Sequence, residues 1–434
     1  MEILETLRRN GFVGYVVGGA VRDLLQGLPV SDWDLATDAT PDRLVKIFPK
    51  VIPTGIRHGT VTVHCKTSQY ELTTFRTDGD YASQHHLSRS CITRDIEADL
   101  RHRDFTINAM AYDPLRDKLI DPFGGQKDIK KRIIRGVQDP LSRFMEDGLR
   151  TYRAIRFSVT LDYRIEEKTL RAIPLCLEKA RATSWERVRE EIFKILQAKN
   201  PSKALRMMRK TGLLSVCLPE LLEGYQTKRS QSDDVYHHIL ATIDAVPRRP
   251  ILRLACLLHE IGKPRVRKRL RAGYSFDGYQ KVSAQMADVV TNRLRLSNNQ
   301  KEYIHQLIEN HVPSIERMPD GPAIRRFLSG LDVRFLDDIF RLAIADQRAS
   351  KAPPSNIRRL YYLRRRCHEI LRAGTPLNVS QLAIGGDKVK KILGITESVG
   401  VGRILSQLLD IVLEDPEKNN PEDLTTLVKK IGKN

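Results

Sequence analysis

The sequence predicts an α+β protein in which a small head mixing strands and helices, residues 1–138, precedes an all-helical remainder. Short β-branched runs separated by turns fill the first 125 or so residues, and beyond Pro140 they give way to long segments with apolar residues three and four apart. The length of 434 residues also calls for more than one core, because single cores rarely grow past about 250 residues.

Taken in order, Tyr15-Val16-Val17 reads as a strand, 41–48 as a helix opened by Pro41, and Gly59 to Val63 and Glu71 to Phe75 as strands with one packed face. Lys118-Leu119-Ile120 reads as a further strand. Pro201-Ser202-Lys203-Ala204 is a helix start. The polar stretch from Gln226 to Asp234 reads as a linker, and Ala352-Pro353-Pro354-Ser355 or Gly374-Thr375-Pro376 as a second boundary. These breaks divide the chain into 1–138, 139–225, 226–352 and 353–434.

Composition narrows the class of partner. Lys and Arg outnumber Asp and Glu by 73 to 53, a formal charge of +20, while 41% of residues are hydrophobic, enough for ordinary cores. Basic clusters such as Lys130-Lys131-Arg132 and Arg364-Arg365-Arg366 recur along the chain. A solvated helix face explains any one of them, but their spread favours a polyanion, with nucleic acid ahead of an anionic membrane surface. Six cysteines without C-x-x-C spacing argue against a zinc site or disulfide framework and for a reducing compartment. No apolar run reaches the roughly 18 residues of a membrane span, and Met1-Glu2-Ile3-Leu4-Glu5 lacks a signal-peptide pattern. A cytoplasmic protein is expected.

Chemistry concentrates in the head. Asp32 and Asp34 follow Gly18-Gly19-Ala20-Val21-Arg22-Asp23, and in an extended strand side chains two apart share a face, so both carboxylates can converge on one site. Hard oxygen ligands of this kind suit Mg²⁺, and the glycine pair lets backbone approach phosphates. An Asx turn is the bland alternative for an isolated Asp-x-Asp. Glu71 could bring a third carboxylate. Arg103 precedes an Asp104-Phe105-Thr106 helix start and suits triphosphate contact. In Glu146-Asp147-Gly148-Leu149-Arg150, Asp147 lies one helical turn before Arg150, and Arg150, Arg153 and Arg156 form one stripe. Paired acceptor and donor groups there could read a nucleobase edge, although an intrahelical salt bridge would leave the same pattern.

In this order, Gly18 to Asp23, Asp32-Trp33-Asp34, Pro53 to Thr60, Arg103 to Met110 and Glu146 to Arg150 resemble the class II CCA-adding enzymes of bacteria, whose close relatives are poly(A) polymerases and the CC-adding and A-adding enzymes. Asp121-Pro122-Phe123-Gly124-Gly125, Trp185-Glu186-Arg187-Val188 and the glycines Gly385, Gly386, Gly394 and Gly402 extend the likeness over nearly the whole chain. The resemblance implies a DNA polymerase β-like nucleotidyltransferase head with a mixed sheet, then a helical neck, body and tail on the boundaries above. It implies addition of C, C and A to the tRNA 3′ end from CTP and ATP, with Asp32 and Asp34 holding catalytic Mg²⁺. Gly19, Arg22 and Arg103 would then contact triphosphate. Asp147 with Arg150 would act as a protein template, and Arg153 and Arg156 would complete the nucleotide pocket. tRNA is the implied partner, with no membrane and no obligate protein partner.

Two departures stand out. His259-Glu260-Ile261-Gly262-Lys263 resembles the HD phosphohydrolase signature, with His238, His311 and Asp346 elsewhere in the body. Glu260 replaces the usual Asp, so a degenerate, structural HD-like domain is expected, and a working metal phosphohydrolase is the rival. After Thr77-Asp78-Gly79-Asp80-Tyr81, Ala82-Ser83-Gln84-His85-His86-Leu87 replaces the acidic, Arg and Pro residues usual in the family's switching loop, so an A-adding or CC-adding specialist stays open. A poly(A) polymerase is the further alternative, disfavoured by the Pro53 to Val63 segment.

Overall fold

In the computed structural model of the protein, residues 1–30, 32–55, 59–65, 68–75, 93–229, 234–271, 273–312, 318–394 and 398–432 are described. The switching-loop stretch 82–87 lies outside them. The chain forms two compact units, Met1–Pro219 and Glu220–Asn434.

The first unit holds a seven-stranded sheet: β1 Gly14–Val17, β2 Asp34–Thr37, β3 Val51–Gly55, β4 Thr60–Cys65, β5 Ser68–Thr74, β6 Ala111–Asp113 and β7 Lys118–Ile120, in the order β3-β4-β5-β2-β1-β6-β7. It is mixed, since β2 pairs with β5 in parallel and the other pairs are antiparallel. Its register places Asp34 beside Glu71 and Val61 opposite Leu72. Val61, Val63 and Leu72 are fully buried, as the β-branched alternation requires. Val17, Ala36, Phe75, Ile96, Leu100 and Ala111 pack into a core that fixes the strand ends near the glycine turn.

Two strands of this sheet escape the sequence reading for physical reasons. β3 contains Pro53, which ordinarily speaks against a strand, but β3 is an edge, where a missing N–H can face away from the ladder. β6 is three residues long and gives no periodicity. The strand expectation for the aspartates needs correction as well: the ladder begins at Asp34, and Asp32 lies in the bend before it.

The helical path expected to carry Asp147 into Arg150 is broken into two helices, Pro140–Glu146 and Leu149–Thr160, with Asp147 extended between them at φ −141°. Gly148 accounts for the break. A Cβ there would overlap the backbone of Lys179, so close packing against the helix Leu177–Arg181 and not local propensity sets the elbow.

Among the described residues, the second unit is helical apart from a small two-stranded ribbon. Asp234 caps helix Val235–Asp244 by accepting from the His237 N–H, and Ser297 with Gln300 forms a capping box on Asn298–Glu309. Helix Leu336–Ala349 ends before Pro353 and Pro354, and Pro354–Arg372 begins there. Phe340, Leu360 and Leu363 anchor one apolar cluster, and Leu408, Leu424 and Val428 another nearer the end of the chain. No described helix is long and apolar enough to cross a membrane.

Candidate functional site

A cavity of about 490 Å³ in the first unit gathers the head motifs: Gly18, Gly19 and Arg22, Asp32 and Asp34, Arg103, and Asp147, Arg150 and Arg153. Gly18 opens helix Gly19–Leu25 at φ +70°, a left-handed value that suits glycine. A side chain there would meet Arg103 Nη1 at 2.9 Å and Asp34 Oδ2 at 3.2 Å. The turn, the carboxylate and the guanidinium therefore lie against one another.

The carboxylates share a field. Burial, then the Asp32 charge working against Arg103, raises the Asp34 pKa above its ordinary value. Glu71, exposed beside Asp34, is raised by partial burial and then by Asp34 and Asp32. Three carboxylates that repel one another, one of them poorly hydrated, form a donor set that a divalent cation would relieve. Arg156 is not among the side chains lining the cavity: its guanidinium is paired with the buried Glu191.

Behind these groups lies a rigid frame that motif reading did not single out. Asp104 accepts from the Phe105 N–H, from Asn108 Nδ2 at 3.1 Å and from Arg153 Nε at 2.7 Å. Asn108 Oδ1 in turn accepts from Arg22 Nη1 at 2.9 Å, and Asp23 accepts from Arg22 Nε at 2.8 Å. The guanidinium carbons of Arg22, Arg153 and Arg156 stand 5.5, 5.2 and 3.8 Å from the centre of the Phe157 ring. One aromatic ring thus has three cations around it.

Burial alone would raise the Asp104 pKa, but Arg153 and the Asn108 amide outweigh it and hold the carboxyl down at about 2, against 3.8 for a free side chain. A depressed folded-state value means stability that is present above the unfolded pKa and lost as pH falls through the folded one. The protein should therefore lose roughly 2 kcal/mol from this group between about pH 4 and pH 2. Denaturant titrations across that window should show the loss in the parent and not in Asp104→Asn. An equal loss in both would remove Asp104 from the acid limb.

At the elbow, Asp147 and Arg150 do not form the stacked pair expected from their spacing. Asp147 is held by Arg187 through two bonds, Nη1 to Oδ1 at 3.2 Å and Nη2 to Oδ2 at 2.7 Å. Arg150 is buried and turned inward, donating to Glu146 Oε2 at 2.8 Å, the Arg143 carbonyl at 3.0 Å and the His102 carbonyl at 2.6 Å. The helix break causes the difference, because Asp147 leaves the helical path before Arg150 begins its turn. Both side chains nonetheless line the cavity. Arg187, quoted only as part of a motif, emerges as their neighbour in the pocket wall.

The second unit gathers the other predicted constellation. His238 lies on helix Val235–Asp244, His259 and Glu260 directly follow Pro250–Leu258, His311 lies just beyond Asn298–Glu309, and Asp346 is on Leu336–Ala349. All five are buried. His238, His259, Glu260 and Asp346 each offer one ligating atom within 4.8 Å of the others. His238 Nε2 lies 2.6 Å from Asp346 Oδ1, and His311 Nε2 3.9 Å from Asp346 Oδ2. Burial above all keeps His311 neutral, with a pKa lowered to about 3.

Comparison with known proteins follows the motifs. The poly(A) polymerase head-domain family matches residues 14–135, and the family described as the probable RNA and SrmB binding site of polymerase A matches 162–224. A CCA-adding enzyme of Geobacillus thermodenitrificans is 41% identical over 272 residues, which cover 63% of this chain and 65% of that protein. Over these stretches the chain is similar to CCA-adding enzymes and to the poly(A) polymerase head domain. Its nucleotidyltransferase fold agrees with a crystal structure of the Bacillus stearothermophilus CCA-adding enzyme in complex with CTP, similar over 100% of this chain and 96% of that one at 29% identity and a TM-score of 0.74. A CCA-adding enzyme of Ligilactobacillus salivarius is 43% identical over 230 residues, or 53% of this chain and 56% of that protein. The chain thus spans rather less than two thirds of the length of these two curated relatives.

Proposed function

We propose that the chain is a nucleotidyltransferase that adds C, C and A to the 3′ end of tRNA without a nucleic-acid template, using CTP and ATP and releasing pyrophosphate. The observation that carries this reading is the single pocket in which the glycine turn, Asp32 and Asp34, Arg22 and Arg103, and the Asp147–Arg187 pair meet. The family's CTP-bound relative supports it.

Asp32 and Asp34, with Glu71 beside them, would hold Mg²⁺, which when bound lowers the cost of charge on the phosphoryl oxygens. The backbone at Gly18 and Gly19 with Arg22 and Arg103 would take the triphosphate. Because Asp23, Asn108 and Phe157 already fix Arg22, little side-chain freedom remains to be lost on binding. The tRNA 3′-hydroxyl oxygen then bonds to the α-phosphorus as the bond to pyrophosphate breaks. The helical neck (139–225), body and tail, rich in Lys and Arg, would hold the tRNA through its phosphates.

Asp147 and Arg150 would present acceptor and donor groups to the incoming base edge, which requires Asp147 to leave Arg187 and Arg150 to release part of its inward bonding to Glu146 and the His102 carbonyl. A site built to hydrogen-bond one base edge strands its own polar groups against the wrong base. Asp147→Ala and Arg150→Ala should therefore narrow the preference for CTP and ATP over UTP and GTP by roughly tenfold or more. Arg103→Ala, which removes a contact common to all nucleotides, should slow all four alike. Labelled-nucleotide incorporation into tRNA transcripts lacking one, two or three terminal residues measures both. Unchanged preference in the two template variants refutes their role, and incorporation on only one class of transcript would establish a CC-adding or A-adding specialist.

A further inference from the structure

The small ribbon of the second unit carries charge that the fold does not use. Its strands, Lys268–Leu270 and Gly273–Ser275, pair antiparallel with Arg269 opposite Tyr274. Five of the seven residues from Arg265 to Arg271 are cationic and none is acidic. Arg265 is accounted for: it donates to Glu223 through Nε at 2.9 Å and Nη2 at 2.7 Å and so ties the base of the ribbon to the helix Glu220–Glu223. Among the described residues no carboxylate pairs with Arg267, Lys268, Arg269 or Arg271, all four of them exposed. Asp277, the next acid along the chain, accepts from Ser275 Oγ instead. Other exposed arginines of the unit differ, since Arg249, Arg326 and Arg334 are paired with Asp338, Glu414 and Asp332.

This arrangement works against the ribbon's own stability. A lone two-stranded hairpin is marginal in water, and like charges crowded along it repel. Packing offers no compensation, because neither strand contains a buried residue. What the ribbon does offer is a spaced row of donors. Residues two apart on an extended strand share a face and start about 6.6 Å apart, a spacing that suits successive phosphates of one nucleic-acid strand. Arg267 and Arg269 are related in this way. The guanidinium carbon of Arg267 stands 5.1 Å from the centre of the Tyr274 ring, which is on that same face. Contact with the ring steadies the cation without consuming its N–H groups.

We propose that this ribbon grips the phosphate backbone of tRNA, with Arg267, Lys268, Arg269 and Arg271 each neutralising a phosphate. The inference rests on the tRNA reading above and names one element of the body that makes the contact. An anionic membrane surface is the rival polyanion. It fits less well, because Leu270 is the lone apolar side chain among these charges and membrane docking draws on buried apolar area.

The test uses the full chain and a tRNA transcript lacking its terminal residues, with binding measured by filter retention across a salt series and without nucleotide. The combined variant Arg267→Gln, Lys268→Gln, Arg269→Gln and Arg271→Gln should bind at least about tenfold more weakly at about 0.1 M salt, and its slope of log affinity against log salt should be shallower by about 3, since each phosphate contact contributes roughly 0.7–0.9. Combining Arg267→Lys, Arg269→Lys and Arg271→Lys keeps the charge and should keep the parental slope. Circular dichroism checks folding, and the pair Lys268→Gln and Arg269→Gln, expected to lose about half as much slope, replaces the fourfold variant if that one is not folded. Parental affinity and slope in the Gln variants overturn the proposal, as does an equal loss in the Lys variant. Sedimentation with phosphatidylserine vesicles is the remaining arm: loss of vesicle binding with tRNA binding intact would assign the ribbon to a membrane and overturn the proposal. A parent that binds tRNA but incorporates no nucleotide would count against the proposed function alone, because the ribbon is judged by affinity.

Discussion

Asp34→Ala should lower nucleotide incorporation by roughly a thousandfold while leaving tRNA affinity within about twofold of the parent. The size follows from what the carboxylate does: a cation that it holds is worth several kcal/mol of charge stabilisation at the reacting phosphate, and each 1.4 kcal/mol is about tenfold in rate. tRNA affinity is separate, because the 73 Lys and Arg residues that attract a polyanion are spread along the chain. Asp32→Ala should behave alike. Glu71→Ala should cost less, since Glu71 is exposed and reaches the site only from the neighbouring strand. Single-turnover incorporation and filter binding on the same tRNA measure the two quantities. Substantial turnover by Asp34→Ala would take the aspartate out of the cation site.

Gly148→Ala should be the most damaging substitution outside the carboxylates. The added methyl would overlap the Lys179 backbone, which has no rotamer by which to yield, and overpacking of this kind costs about 1–3 kcal/mol. The damage should not stop at stability. Relief would come by moving the helix start at Leu149, which carries Arg150 and Arg153, away from Asp147 and Arg187. We expect a lower unfolding midpoint together with lost discrimination among nucleotides. Ala at the neighbouring Leu149 position should lower stability with less effect on discrimination. A Gly148→Ala protein with parental midpoint and parental specificity would refute the packing account of the elbow.

The sequence displays local features well and distant ones poorly. β7 and the helix Pro41–Ile47 match the reading because a β-branched run and an initiating proline are local signals. The likeness to CCA-adding enzymes was visible because the motifs that carry it are short and ordered. The partner of Asp147 was not, since Arg187 lies 40 residues away and only the packing of two helices brings it in. The same applies to the hydrogen bond between His238 and Asp346, 108 residues apart. The five-residue motif around His259 marked the right place, yet nothing in its spacing showed that Lys263 would fold back onto Glu260. Propensity failed at the elbow, where a run of good helix formers gives way to one glycine contact.

The parallel pairing of β2 with β5 has a consequence for the order in which the head is made. Antiparallel neighbours can close through a short turn, but parallel strands need a crossover, here supplied by helix Pro41–Ile47 and the strands β3 and β4. Asp34 and Glu71 can therefore meet only after that whole excursion has collapsed, and pairings this distant in sequence close late. On the ribosome, a nascent head would expose its aspartates as separate, hydrated carboxylates until β5 has emerged and docked. The repulsion among them arises only when the rest of the sheet is already in place to contain it.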